Sequence, residues 1–249
     1  MKRRDILKAS GVIASGSLLP FLATENSYGK TKNSTNEKII VVAGGHPDDP
    51  ETGCGGTIAW LADQGHKIYS LYLTKGEAGI PGTSHEDAAI IREKEASEAC
   101  EILHSELLFF GQTDGDTFIN REAYGKMRSV INDLKPDLVF TQWPIDTHPD
   151  HRVVSLLVYH AWLSIGRSFP LFYYEVLTGN QTQAFSPTDY VDITKFADIK
   201  KKAAYAHKSQ HTADWYHFHE QMSHFRGMEA GVQHAEAFVG HPQNQFFMT

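Results

Sequence analysis

Lys38-Ile39-Ile40-Val41-Val42-Ala43-Gly44-Gly45-His46-Pro47-Asp48-Asp49-Pro50-Glu51 is the stretch that decides the fold. Ile39 to Ala43 are β-branched or small and apolar without a break, the composition of a strand buried on both faces. Gly44-Gly45 stops the run, and an imidazole and two carboxylates follow at once. In open α/β sheets, ligands bind in the crevice beyond the carboxyl ends of the strands. A second stretch repeats the arrangement: Pro136-Asp137-Leu138-Val139-Phe140-Thr141-Gln142-Trp143, then His148-Pro149-Asp150-His151. Two strand ends bearing His and Asp at short spacing are the makings of one site.

Outward from these two runs, strands alternate with helices. The patterning predicts helices over 55–65, 85–103, 121–134, 152–165 and 195–210. It predicts strands over 67–74, 106–111, 171–176, 190–193 and 235–239. Such alternation implies an α/β fold, a single Rossmann-like, doubly wound and mainly parallel sheet with helices on both faces. Residues 1–25 read as an export signal: Lys2-Arg3-Arg4 is a basic start, and Arg3-Arg4-Asp5-Ile6-Leu7-Lys8 resembles a twin-arginine leader. Residues 26–37 read as a linker and 38–249 as one domain. The expected product is exported, periplasmic or extracellular, with no stable insertion in a membrane.

The 249 residues carry a formal charge of -7, and no Lys/Arg cluster is long enough to track a nucleic-acid backbone. Nucleic acid is therefore excluded as a partner, while self-association is left open. Cys54 and Cys100 are the only cysteines. They form no zinc or redox motif, and Cys54 reads as a small buried thiol.

His46 and Asp49 lie three apart, and His151 comes from the other strand end. Imidazole nitrogens with a carboxylate oxygen form a donor set that zinc accepts, and His148 would be a fourth donor if counted. Asp48, next to Asp49, is free to act as a base. His148 could stabilise or protonate a departing group, and Asp150 could hold the tautomer of that histidine. One His-Pro-Asp-Asp could be only a strand-exit turn with a helix cap. Two such exits in one chain favour a metal hydrolase of unspecified substrate.

His46-Pro47-Asp48-Asp49 with Glu51 and Gly53-Cys54-Gly55-Gly56-Thr57 resembles the signature of the PIG-L/LmbE-type zinc-dependent N-deacetylases. The resemblance continues through Thr74-Lys75-Gly76-Glu77, Arg92 with Glu95-Ala96, Asp114-Gly115, His148-Pro149-Asp150-His151, His207-Lys208-Ser209-Gln210 and Ala235-Glu236-Ala237-Phe238. It implies that 38–249 is a deacetylase-like catalytic domain holding one Zn2+ through His46, Asp49 and His151. It further implies Asp48 as general base, His148 as acid or electrostatic partner with Asp150 behind it, and Arg92 and Asp114 as substrate contacts. The substrate so implied is a small molecule or glycan with an N-acetyl group. Two alternatives stand beside it, a zinc-containing carbohydrate binder without catalysis and a metal hydrolase acting on another bond. Pro50, Gly44-Gly45 and the tail Asp214-Trp215-Tyr216-His217-Phe218-His219 depart from the common pattern, and the tail could build a distinct rim.

Overall fold

Strand β1 (Ile39–Gly44) is an interior strand of a sheet that has seven strands among the described residues. The computed structural model describes residues 37–247; the expected export segment, and the linker up to residue 36, lie outside them. The other strands are β2 (Lys67–Tyr72), β3 (Ser105–Phe109), β4 (Leu138–Gln142), β5 (Leu171–Tyr174), β6 (Asp189–Asp192) and β7 (Ala235–Gly240). Their order across the sheet is β3-β2-β1-β4-β5-β7-β6. β3 through β5 in that order are parallel, while β7 runs antiparallel to both β5 and β6. The chain winds from β1 out to β3 and then crosses back to β4. A topological switch point therefore falls between β1 and β4, where a doubly wound sheet opens its crevice.

Alternation along β1 divides the core in two. Ile40 and Val42 face one cluster, with Cys54, Ile58, Leu103, Ala203 and Ala206, which come from helices α1 (Asp49–Asp63), α2 (His85–Leu103) and α5 (Ala197–Ala206). Val41 and Ala43 face the other, with Met127, Ile131, Val154, Leu157 and Val158 from α3 (Arg121–Leu134) and α4 (Pro149–Ser164). Helices thus cover both faces, as the uninterrupted apolar run requires.

Helix α1 starts six residues earlier than its pattern of apolar residues predicts. Pro50 suits the first turn, and the Glu51 carboxylate accepts the Asp48 N–H at 3.0 Å, so the polar stretch after β1 is itself helical. The three glycines of this helix let it sit close to its neighbours. A Cβ on Gly53 would lie 2.3 Å from Cδ2 of Tyr174, and one on Gly56 would lie 2.6 Å from Cβ of Ile193. From the far end of the chain, Glu236 of β7 accepts the N–H groups of Gly56 and Thr57 at 2.9 and 2.7 Å. Lys200 of α5 neutralises that buried carboxylate at 2.7 Å.

The periodicity gave no sign of α6 (Thr212–Ala230), because its histidines and aromatics are scattered around the helix instead of forming one apolar stripe. The helix expected over 195–210 breaks after Ala206 into a short 3-10 turn, Lys208–Gln210. Both cysteines are free and buried. Among the described residues no helix is long and apolar enough to cross a membrane.

Candidate active site

The carboxyl ends of β1 and β4 deliver the two motifs to one place. Gly44 and Gly45 are needed there for space. A Cβ on Gly44 would lie 2.8 Å from Cδ of Pro50, and one on Gly45 would lie 3.0 Å from Cδ2 of His151. The turn that follows is fastened from below, with the Gly45 N–H donating to Oε1 of Gln142 at 2.8 Å.

Asp49 stands between two imidazoles. Its Oδ2 is 3.3 Å from Nδ1 of His46, and its Oδ1 is 3.3 Å from Nε2 of His151. The second nitrogen of each ring is held by another carboxylate: Nε2 of His46 lies 3.0 Å from Asp150, and Nδ1 of His151 lies 3.1 Å from Asp146. All five groups are buried. Ligand histidines characteristically have their outer nitrogen fixed in this way, which sets the tautomer and leaves the inner nitrogen for the ion. His46, Asp49 and His151 could therefore hold a divalent metal between them.

Other donors are close. Ligand atoms of His46, His148 and His151 all lie within 4.8 Å of one another, and so do those of His46, Asp114, His148 and Asp150. Asp150 is already engaged, its Oδ2 by the Gly115 N–H at 3.0 Å and its Oδ1 by the Thr117 hydroxyl at 2.6 Å. Asp114 accepts the Ala78 N–H at 3.0 Å and faces Nε2 of His46 at 3.1 Å. These two carboxylates surround the outer side of His46.

The expected bond from the Asp150 carboxylate to His148 is absent, because that carboxylate is turned to His46. His148 instead caps α4, and its Nδ1 accepts the backbone N–H of Asp150 at 3.3 Å. Residue 150 thus still fixes the tautomer of His148, through its main chain, leaving Nε2 to carry the proton.

Asp48 has φ 105°, a conformation unfavourable for a residue with a Cβ. Arg92 holds it there. Its guanidinium donates to Oδ2 of Asp48 at 2.9 Å, to the Pro47 carbonyl, and to the Gly76 carbonyl at 3.4 Å. Arg92, implied as a substrate contact, is thus turned onto the Pro47–Asp48 turn, and it is only 3% exposed although it borders the cavity.

Charges follow from these contacts. Burial raises the carboxyl of Asp48 above its ordinary range against the opposing pull of Arg92. Burial also acts on Asp49, but His151 and His46 outweigh it and hold that carboxyl well below the usual range. Burial lowers His148, helped by the neighbouring His46 and His151. For His151 the cost of burial is overcome by Asp49 and Asp146, which lift it to about 9. Burial, His151 and His46 thus leave two adjacent carboxyls with opposite tendencies.

These groups line a cavity of about 410 Å³. Its outer wall is formed by the loop after β5, with Val176, Leu177, Asn180 and Gln181, and by Gln210, Trp215 and His219 at the start of α6. Reading of the sequence missed Asp146, whose only signal is an acid five residues before His151. It also missed Thr117 and Gln142. The expected rim from the aromatic tail is present, with Trp215 on the cavity and Phe218 turned outward.

Comparisons with known proteins place this geometry. The PIG-L family, described as GlcNAc-PI de-N-acetylase, matches residues 40–162, a span that includes every residue of the two motifs. The diacetylchitobiose deacetylase of Thermococcus kodakarensis is 30% identical over 213 residues, covering 77% of this chain and 78% of that one. The chain belongs to the PIG-L family. Another relative, the probable N-acetyl-alpha-D-glucosaminyl L-malate deacetylase 2 of Bacillus cereus, is 28% identical over 192 residues, or 70% of this chain and 84% of that one. Among solved structures, the N,N'-diacetylchitobiose deacetylase from Pyrococcus horikoshii, complexed with its inhibitor MPG, superposes with a TM-score of 0.75 at 27% identity. That match covers 85% of this chain and 86% of the other. The mainly parallel sheet is therefore that of the PIG-L deacetylases.

Proposed function

We propose that this PIG-L protein is a metal-dependent amidohydrolase that removes an N-acetyl group from an amino sugar or glycoconjugate. The ion is Zn2+, one per chain, held by His46, Asp49 and His151, and the protein works outside the cytoplasm after export by its twin-arginine-like leader. The observation that carries the reading is Asp49 set between two carboxylate-backed imidazoles, with Asp48 fixed beside it by Arg92. The names of the two relatives above, a diacetylchitobiose deacetylase and a probable N-acetyl-alpha-D-glucosaminyl L-malate deacetylase, support the bond and the substrate class.

Zinc in such a site supplies Lewis acidity, to the attacking water and to the amide carbonyl. The protein's own groups handle the protons. Asp48 accepts the proton that the attacking water gives up as its oxygen bonds to the carbonyl carbon. Nε2–H of His148, fixed by the Asp150 main chain, donates to the carbonyl oxygen as charge builds there. The lowered proton affinity of His148 suits a neutral donor. Asp48 then delivers its proton to the amine nitrogen as the C–N bond breaks, giving acetate and the free amino sugar. A module that only binds sugar would have no use for a base held at a costly backbone angle.

The test is to incubate the zinc-loaded protein with N-acetylglucosamine and its β-linked dimer and to measure acetate released. A folded, metal-bound protein that turns over no amide would refute the reading, and release from esters alone would move it to the other bond.

A further inference from the structure

We propose that the cavity takes an uncharged sugar, with Trp215 and His219 of α6 forming the subsite for a pyranose ring; this rests on the deacetylase reading above. Both residues line the cavity on the side of its outer wall, one helical turn apart. The Trp215 indole N–H is already bound to the Gln210 carbonyl at 2.8 Å. The ring is thereby fixed, and what it offers a ligand is its face and apolar edge, which suit the C–H groups of a pyranose.

His219 packs edge-on against Trp215, with ring centroids 5.4 Å apart, and lies 6.1 Å from Tyr216. The residue is only 7% exposed, and among the described residues no hydrogen bond or ion pair engages its ring nitrogens. A buried polar group of this kind needs one, and the cavity is the open side. Burial, with the Lys200 ammonium second, pushes its pKa down to about 3. The imidazole is therefore neutral, with one N–H to give and one nitrogen to accept. A sugar hydroxyl, which also gives one and accepts, is its complement.

The rest of the lining argues against an anion. Arg92 is the only lysine or arginine on the cavity among the described residues; its two terminal nitrogens are committed to Asp48, Pro47 and Gly76, and its Nε is buried out of reach of solvent. Carboxylate or phosphate recognition ordinarily uses a free guanidinium or ammonium. Here a phosphate or malate aglycone would meet Asp48, Asp49 and Asp114 without one.

The experiment is calorimetric titration of the metal-loaded protein with N,N'-diacetylchitobiose, N-acetylglucosamine and N-acetylglucosamine 1-phosphate. The uncharged sugars are expected to bind, and the phosphate to bind no tighter than N-acetylglucosamine itself. His219→Ala and Trp215→Ala should each weaken the disaccharide about tenfold or more, corresponding to about 1.4 kcal/mol, with metal content unchanged. His219→Gln, which keeps a donor and an acceptor, should recover most of the loss, as should Trp215→Phe, and both guard against a mere folding defect. Parent-like binding by all four variants, or tighter binding of the phosphate, would overturn the proposal. Tight, Trp215-dependent binding without acetate release would sustain it while removing the deacetylase reading.

Discussion

Asp48 and Asp49 are neighbours in the chain, yet they face different partners, and the backbone separates them. The φ of 105° at Asp48 turns its carboxylate to Arg92 while Asp49 turns inward to the two imidazoles. Asp48→Asn should lower kcat by at least about 10²-fold and leave the bound zinc in place, as read by acetate release and elemental analysis of the same sample. Asp146 acts one step further out, through His151. Asp146→Ala should weaken the metal by about 10–100-fold, seen in competition with a chromophoric chelator, with activity restored by excess zinc. Both motifs were legible in the sequence because each packs its reactive residues within nine positions of a strand end. Asp146 was not, since an acid in a loop carries no pattern of its own. The turning of Asp150 to His46 was also illegible, because a spacing gives which residues are near and not which atoms face each other.

At the scale of elements, α1 is the part under most constraint. One end carries Asp49, and its middle is held by Glu236 and, through that carboxylate, by Lys200. Glu236→Ala leaves a buried ammonium and two main-chain donors without their acceptor, and should destabilise the fold by about 3–5 kcal/mol, measured by urea unfolding with the metal-binding residues unaltered. Gly53→Ala forces a methyl against Tyr174 and should cost about 1–3 kcal/mol in the same assay. The sequence disclosed the strands well because each is a short apolar run ended by Gly, Pro or a charge. The beginning of α1 was hidden because a polar, glycine-rich segment lacks the periodic apolar face by which helices are recognised. α6 was hidden for a related reason: its buried residues, Thr212, Tyr216, His219, Ser223, Arg226 and Gly227, are mostly polar.

For the molecule as a whole, the switch point between β1 and β4 brings residues 46–49 and 146–151 together, so an ion bound as proposed would tie the two halves of the sheet. A saturating ligand at 100 times its Kd adds about 2.7 kcal/mol to stability. Removing the metal with a chelator should therefore lower the melting temperature by about 5–10 °C, reversibly on adding zinc back, as followed by circular dichroism. The fold class was readable from the alternation of elements, whereas the antiparallel seat of β7 between β5 and β6 was not, since strand order beyond the parallel half depends on long-range pairing. That seat has a consequence for synthesis. Residue 236 leaves the ribosome after every other strand, and until it does, Gly56 and Thr57 lack the carboxylate that anchors them. β5 likewise presents a bare edge until β7 arrives. The helix that carries Asp49 thus gains its β7 anchor only late in synthesis.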